Sequence, residues 1–494
     1  MSQVVVVGGG NAGLCAAIAA RQAGADVHLL ERAPRALRGG NSAFTAGLMR
    51  TVYDGAGDIL DLADSLTRDD LARTDFGSYS AGDFLDTLAR VTEYRCDPEL
   101  AGQLVDQSIG TLRWMKSHGV RFAAAYGRQA FRHGERFRFF GGAVLEVVGG
   151  GPGLVDGLSA EAERLGVRIH YQTRARALLT QEDQDGIRTL GVRVSAAGAS
   201  AELPADSVVL AAGGFQASAE WRARYLGPGW DLAKVRGTRY NTGDGIEMAL
   251  CAGAAPAGHW TGCHAVAWDR NAPEFGDLRV GDSFQKHSYP FGIVVNADGR
   301  RFLDEGADFR NYTYARYGRE ILAQPGQVAW QVFDQQTTHL LRDEYRIREV
   351  SKVTAPTIEK LGEAMDGVDA RTFGQTVRQF NDAVRRDVSF DPNVLDGRCT
   401  DGIAPRKSNW AMPLEQGPFE AYHVTCGITF TFGGVRTDAQ AQVIDDDGRV
   451  MPGLYACGEM LGGLFYTNYP GGSGLTAGSV FGRIAGRNAA RASA

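Results

Sequence analysis

The first thirty-one residues run strand, glycine turn, helix, strand and acid, and no other stretch restricts the fold so tightly. Gln3 to Val7 is a short β-branched run that reads as a buried strand. Gly8, Gly10 and Gly13 follow in G-x-G-x-x-G spacing. In such a turn the first glycine allows the bend, the second lets backbone approach a pyrophosphate, and the third lets helix pack on strand. Asn11 to Gln22 is alanine-rich and reads as a helix whose first amides and dipole point at phosphates. Asp26 to Leu30 is the second strand, and Glu31 at its end can accept a ribose hydroxyl. A bound dinucleotide is the reading; the alternative is a glycine-rich turn in an unrelated α/β protein.

Bulk properties narrow the class. A chain of 494 residues has room for two or three domains and a large core. Its 44% hydrophobic and 22% charged content is ordinary for a soluble globular protein. The 52 basic residues against 58 acidic ones give a charge of −6, which argues against a nucleic-acid partner. Seven cysteines are scattered, odd in number and never spaced C-x-x-C. That pattern disfavours a disulfide framework and a zinc or iron–sulfur site, so no metal is expected, and it fits a reducing compartment. A strand beginning at residue 3 leaves no room for a signal peptide, and no stretch reaches the ~18 apolar residues of a membrane span. A soluble cytoplasmic protein is expected.

The glycine motif at the start has counterparts far along the chain. Ser207 to Ala212 reads as a buried strand closed by Gly213-Gly214, and Leu454 to Cys457 as another leading into Gly458-Glu459. Tyr469-Pro470-Gly471-Gly472-Ser473-Gly474 then opens a small-residue helix from about Leu475 to Ala490. Three strands running into glycines imply one sheet assembled from distant segments. The interior is richer in aromatic, arginine and proline residues, with a hairpin over Ile293 to Leu303 and helical spacing over Phe373 to Val388. The predicted division is residues 1–250 and 426–494 for the nucleotide domain, with 251–425 as a second domain inserted into it.

The glycine turn, Gly39-Gly40-Asn41-Ser42, Ala211-Ala212-Gly213-Gly214 and Gly453 to Glu459 together resemble the fumarate reductase and succinate dehydrogenase flavoprotein family. Pro418 to Gly434 and Gly462 to Gly486 match that family's C-terminal pattern, so the resemblance covers nearly the whole chain. It implies an α/β fold, a Rossmann-like FAD-binding domain with an inserted α+β capping domain that closes over the flavin ring. Glu31 would hold the adenosine ribose, Asn41, Ser42, Thr45 and Gly47 would line the pyrophosphate and flavin, and Glu459 would bond the ribityl chain. Gly8, Gly10, Asn11, Ala12, Gly13, Arg32, Gly40, Ala175, Ala212, Gly213, Asp244, Ser473, Gly474 and Leu475 complete the expected cofactor contacts. The helix near Ser473 would aim its positive end at the pyrimidine side of the ring. Covalent-flavin members carry a histidine in the segment matching 39–47; none occurs here, so the resemblance implies non-covalent FAD.

The chemistry shared by that family interconverts alkane and alkene next to a carboxylate, with hydride passing to or from the flavin and a protein group exchanging a proton. His264 matches a histidine that binds a substrate carboxylate, and Arg310 resembles the proton-transferring arginine. Against these stand a core histidine satisfied by backbone and a surface salt bridge from Arg310 to Asp308. Two positions depart: Phe430 stands where fumarate reductases have a second carboxylate-binding histidine, and Tyr469 where they have an arginine. The loss of two charged donors argues against fumarate or succinate.

The tyrosine variant resembles 3-ketosteroid dehydrogenases and tricarballylate dehydrogenases, and the two C-terminal strings look most like the latter. A tricarboxylate needs replacement cations. Arg132, Arg136 and Arg138 in a basic, aromatic-laced stretch that also holds His133 are expected to share one face of an extended segment, unless the stretch is a solvated strand edge. His287 and Tyr289 are weaker candidates. The expected reaction is tricarballylate to cis-aconitate, with Arg310 taking the proton, His264 holding carboxylate and Tyr469 helping by hydrogen bond. An enone-forming dehydrogenase with a tyrosine base, a reductase working in the opposite direction and a non-catalytic flavin-binding subunit are the alternatives. The chain lacks haem or iron–sulfur spacing, so a membrane-associated electron-transfer partner is expected.

Overall fold

Val4, Val5, Val6 and Val7 are all buried, the condition of a central strand covered on both faces. Gln3–Val7 lies between Ser207–Leu210 and Asp26–Leu30 and runs parallel to both. The full order is Gln442–Ile444, Val450–Ala456, Ser207–Leu210, Gln3–Val7, Asp26–Leu30 and Arg168–His170, with only the first strand antiparallel. Segments more than two hundred residues apart in sequence thus lie side by side in an α/β sheet. The strands Ser207–Leu210 and Val450–Ala456 stop short of the predicted ends because the chain turns away into glycines, Gly213 and Gly458 both at positive φ. This computed structural model describes residues 2–63, 65–139, 141–183 and 186–492.

The helix Asn11–Gln22 packs against the helix Ser473–Arg491, and small residues set how closely. Gly482 and Gly486 leave so little room that an added Cβ would stand 2.3 Å from the Ala12 carbonyl and 2.0 Å from that of Ala16. Asn11 Nδ2 donates to the Leu475 carbonyl at 2.9 Å and to Ser479 Oγ at 3.0 Å, fixing the register. The C-terminal helix begins at Ser473 rather than Leu475 because Gly472, at φ 84°, turns the chain into it.

Two compact units result. The first comprises Met1–Asp231, Gly237–Cys263 and Phe430–Ala494; the second comprises Leu232–Arg236 and His264–Thr429. The sequence set the divisions at 250/251 and 425/426, whereas the units part at 263/264 and 429/430, inside the long strands Pro256–Asp269 and Phe419–Val435. The short segment Leu232–Arg236 joins the second unit because Lys234 and Val235 pair with Gly427 and Ile428.

The second unit is α+β. Val328–Phe333 pairs antiparallel with Ile293–Val295 and with residues 420–425. One core gathers Ile293, Val295, Trp330, Val332, Phe373, Val377, Phe380 and Phe419. The helix over the predicted Phe373 to Val388 is Ala370–Ala383; it is capped by the Asp369 side chain and stops where Val384 bridges to Thr400. The predicted hairpin is tight and short, its second limb reduced to a bridge between Val295 and Arg301.

That bridge delivers a buried ion pair. Arg301 meets Glu305 through two bonds, 3.0 Å from Nε and 2.6 Å from Nη2, with both side chains nearly inaccessible. Glu305 also accepts from the Val294 amide at 2.8 Å, and Arg301 donates to the Pro405 carbonyl at 2.7 Å. The pair anchors the loop that ends at Arg310. Truncating one member leaves an uncompensated charge in the core, so Glu305→Ala is expected to cost about 3–5 kcal/mol. Denaturant unfolding of the flavin-loaded protein measures it, and a loss below ~1 kcal/mol, the scale of a surface pair, contradicts the anchoring role.

Candidate active site

The nucleotide cradle forms at the carboxyl ends of the first unit's strands, where open α/β sheets bind ligands. Gly8 has φ 110°, and a Cβ there would stand 2.3 Å from the Ala211 carbonyl. At Gly13 a Cβ would stand 1.9 Å from the Gly8 carbonyl, so helix and turn interlock. Gly10 differs: its backbone is extended and a Cβ would meet nothing nearer than 3.5 Å. The helix following it has no side-chain cap, and Ala12 and Gly13 lie in its first turn. A helix start whose cap residue carries no side chain leaves the first-turn amides of Ala12 and Gly13 to a pyrophosphate.

Glu31 is 6% accessible, and its oxygens accept from the Ala33 amide at 2.7 Å and the Gly9 amide at 3.1 Å. Burial raises its pKa against those donors. Each carboxylate oxygen retains acceptor capacity for a ribose hydroxyl. Arg32 and Asp244 meet at 3.2 Å, and Arg174 reaches the same Asp244 oxygen at 2.6 Å. Burial alone would raise Asp244, but the bonds from Arg174 and Thr242 and the charge of Arg32 hold it below the usual carboxylate range. Ser42 Oγ accepts from the Asn11 amide at 3.0 Å, Asn41 Oδ1 accepts from the Thr238 amide at 3.0 Å, and Thr45 Oγ1 accepts from Gly47 at 3.2 Å. Gly40 starts the short helix Gly40–Phe44 that carries Asn41 and Ser42. Ala175 is buried in the strand Thr173–Asp183, and Ala212 and Gly213 form the turn after Ser207–Leu210.

Glu459 gathers donors from three segments that the glycine motifs do not mark. It accepts from the Thr431 amide at 2.9 Å, Thr431 Oγ1 at 3.3 Å, Gln216 Nε2 at 3.3 Å and Asn241 Nδ2 at 3.3 Å. Burial pushes it up to about 7 despite them. Gly214 must be glycine here, since its Cβ would stand 2.2 Å from both Glu459 Oε1 and Thr431 Oγ1.

Arg50 fixes the turn before the C-terminal helix. It is 2% accessible and donates to the Gly471 carbonyl at 2.9 Å, the Gly141 carbonyl at 2.8 Å and Tyr79 Oη at 3.0 Å. The helix then opens at Ser473 without a side-chain cap, its amides at Gly474 and Leu475 in the first turn. Against that turn stand Phe430 and Tyr469, each with a ring carbon 3.9 Å from where a Gly474 Cβ would lie. Phe430, Phe465 and Tyr469 form a mutual edge-to-face set, with centroids 5.0 to 6.1 Å apart, and Phe432 joins at 5.3 Å from Phe430. His259 holds the loop beneath: its Nδ1 accepts from the Thr467 amide at 3.0 Å, where Thr467 sits at φ 56°.

The second unit gathers the cations. His264 is 1% accessible and meets the Tyr314 ring edge-on at 5.2 Å, and His287 packs on the same ring at 4.8 Å. Burial, reinforced by Arg236, holds the His264 imidazole well below its ordinary pKa. Arg236 is paired with Asp282 at 2.5 Å, and Arg342 with Glu344 at 2.9 Å. Arg310 is the first residue of the helix Arg310–Leu322. Burial, then the neighbouring Arg342 charge, pulls it down to about 9. The positive end of its own helix disfavours the charge further. Tyr289 donates to or accepts from Thr313 at 2.7 Å, and burial raises its pKa.

The arginines at 132, 136 and 138 do not share a face. Gly134 and Glu135 turn the stretch into a hairpin of Ala130–His133 and Arg136–Phe139, in which Arg132 opposes Phe137 while Arg136 opposes His133 and Arg138 opposes Phe131. Opposed residues point to one side, so Arg136 and Arg138 lie together and Arg132 lies on the other face. All three are exposed; Arg138 approaches Asp75 at 3.7 Å and Arg132 Nε donates to the Gly134 carbonyl at 3.1 Å. The side chain of His133 lies outside the described residues. An even-numbered spacing survives only along an uninterrupted strand, and the turn at Gly134 breaks it.

Sequence reasoning left out Thr431, Gln216, Asn241, Arg50, Tyr314, Arg236 and Arg342. Thr431 sits beside Phe430 in a string already singled out; the others carry no motif, since they are united only by tertiary folding. Among the described residues no group of three or more histidine, cysteine or acidic side chains could hold a metal, and no helix is long and apolar enough to cross a membrane.

Because Gly10 has ordinary φ and a Cβ there would make only ordinary contact, Gly10→Val is expected to leave the chain folded while displacing the cofactor's phosphates. Overpacking of about 1–3 kcal/mol there weakens FAD roughly five- to hundredfold. The ratio of flavin to protein absorbance after purification reads the loss, with far-ultraviolet circular dichroism unchanged. Full retention of flavin contradicts the cradle.

The family described as FAD binding domain matches residues 3–475. A probable fumarate reductase of Shewanella frigidimarina is 29% identical, covering 99% of this chain and 75% of its own. A 4-oxocyclohexanecarboxylate 2-dehydrogenase of Sinomonas cyclohexanicum is also 29% identical, over 99% of this chain and 92% of its own. The solved open conformation of a flavocytochrome c3 fumarate reductase aligns with a TM-score of 0.73 at 27% identity, covering 99% of this chain and 78% of that one. With the cradle and the match through residue 475 in hand, this chain belongs to the FAD-binding family of fumarate reductase and succinate dehydrogenase flavoproteins, and it is an FAD-dependent oxidoreductase of carbon–carbon single and double bonds.

Proposed function

We propose that the chain is a dehydrogenase that oxidises a C–C single bond beside a carboxylate to C=C, and that its substrate is tricarballylate, giving cis-aconitate. The observation that carries the reading is the cationic group of the second unit, Arg236, Arg310 and Arg342 around the His264–Tyr314–His287 rings. Buried guanidinium and imidazole groups of this kind suit carboxylates, and more than one of them. The exposed arginines at 132, 136 and 138 add nothing to that support.

Bound FAD supplies the hydride acceptor, or the donor in the reverse direction. In this reading His264 binds one carboxylate, and Arg310 removes a proton from the carbon beside the one that loses hydride. Burial and Arg342 bring Arg310 to about 9, which makes its neutral form accessible at moderately alkaline pH. The histidine that covalent-flavin members carry does not occur in residues 39–47, which supports FAD that acid precipitation releases. A cytoplasmic location and a separate membrane-associated electron acceptor belong to the same proposal.

The edge-to-face set of Phe430, Phe465 and Tyr469 favours a second reading, an enone-forming dehydrogenase on an apolar ring with Tyr469 as its acid or base. Two substitutions separate the readings. Arg310→Ala is expected to lower turnover at least a hundredfold, in the range of lost general-base catalysis, while Tyr469→Phe lowers it less; the opposite ranking favours the tyrosine.

Adding tricarballylate to the purified protein without oxygen is expected to bleach the visible flavin absorbance. An oxidised flavin after tricarballylate, with another acid or ketone reducing it, overturns the substrate assignment. The oxidation rate is expected to rise with pH through about 9, because Arg310 accepts a proton only after losing its own. Arg310→Lys, with an intrinsic pKa near ~10.4 for lysine, should change that rising limb; an unchanged profile removes Arg310 from the proton step.

A further inference from the structure

We infer that His287 is a second substrate-contacting side chain, which presents Nε2 to a further carboxylate of the substrate. The inference rests on the dehydrogenase reading above and names the part of the substrate that one histidine leaves unrecognised.

Four observations converge on this residue. His287 is 3% accessible, yet its Nε2 has no hydrogen-bond partner among the described residues. Buried ring nitrogens are ordinarily bonded, so one left open marks a place for a ligand. The ring is held on Tyr314 at 4.8 Å, the phenol that His264 meets at 5.2 Å, so two imidazoles flank one aromatic ring. The charges of Arg236, Arg310 and Arg342 all act on His287, and with burial they keep it neutral. A neutral imidazole can donate from Nε2, and the positive surroundings favour an anionic acceptor.

The neighbours of His287 show that its backbone is positioned and not merely packed. Lys286 Nζ donates to the carbonyls of Glu344 at 2.9 Å and Gln285 at 3.2 Å, and stands 3.5 Å from Asp269. Gln331 Nε2 donates to the Lys286 carbonyl at 2.9 Å. The Ser288 amide donates to Tyr345 Oη at 2.8 Å, and Ser288 Oγ accepts from the Arg342 amide at 3.2 Å. Residues on either side are therefore locked by structural bonds, and Arg342 is tied to the same segment. His287 Nε2 stands apart from that network.

The test uses the oxidised, flavin-loaded protein and two probes, tricarballylate and the monocarboxylate propionate, with binding read by calorimetry. His287→Phe keeps the aromatic volume and removes the donor; His287→Asn keeps a donor with less bulk. A lost hydrogen bond to a charged group corresponds to a roughly ten- to hundredfold weaker Kd. That loss is expected for tricarballylate in His287→Phe, with partial recovery in His287→Asn and propionate affinity changed by less than about twofold. Equal weakening of both probes, or no weakening of either, overturns the inference while leaving the dehydrogenase reading intact. Binding of propionate but not tricarballylate to the unsubstituted protein overturns it as well. If the unsubstituted protein binds neither and no carboxylate reduces its flavin, the reading beneath the inference fails first.

Discussion

The contact between the first helix and the last one governs the flavin unit. Gly482 and Gly486 bring the backbone of Ser473–Arg491 onto the carbonyls of Ala12 and Ala16, a distance no side chain tolerates. Asn11 then bonds Leu475 and Ser479 from the very start of the first helix. Two helix starts whose cap residues are glycines, at Asn11 and at Ser473, are thereby fixed against each other. Electrostatic preorganisation needs this kind of immobility, because a dipole that must reorient during reaction gives back what it stabilises.

Burial supplies the other half of the chemistry, and it acts in opposite senses on acids and bases. Desolvation raises Glu459 to about 7 and lowers Arg310 to about 9, so both groups sit nearer neutrality than they would in water. Around Arg310 the neighbouring Arg342 strengthens the effect; around Asp244 three donors reverse it. The cationic group of the second unit is partly compensated by Asp282 and Glu344, which pair with Arg236 and Arg342.

The sequence made the nucleotide half of this protein readable because its signals are local. Gln3–Val7, Asn11–Gln22 and Asp26–Leu30 are bounded as their periodicity and glycines predict. Glycine positions reveal where backbone must bend or touch, and those constraints survive in linear order. The second unit was less readable. Arg236, Tyr314 and Arg342 are ordinary residues in sequence and become a group only when a short parallel strand, a helix start and a loop converge. The hairpin arginines failed for a related reason. Alternation assigns faces correctly within a strand and reverses them without notice across a turn, so Arg132 was assigned to the wrong side. Domain limits shifted because long strands run through the points at which composition changes.

The interlocked helices also bear on how fast the flavin unit assembles. Gly482 and Gly486 meet Ala12 and Ala16 across a very long stretch of intervening sequence. Pairings of such range carry a large loop-closure entropy and form slowly. The docking of these two helices is therefore the contact that ties folding rate to topology in this unit.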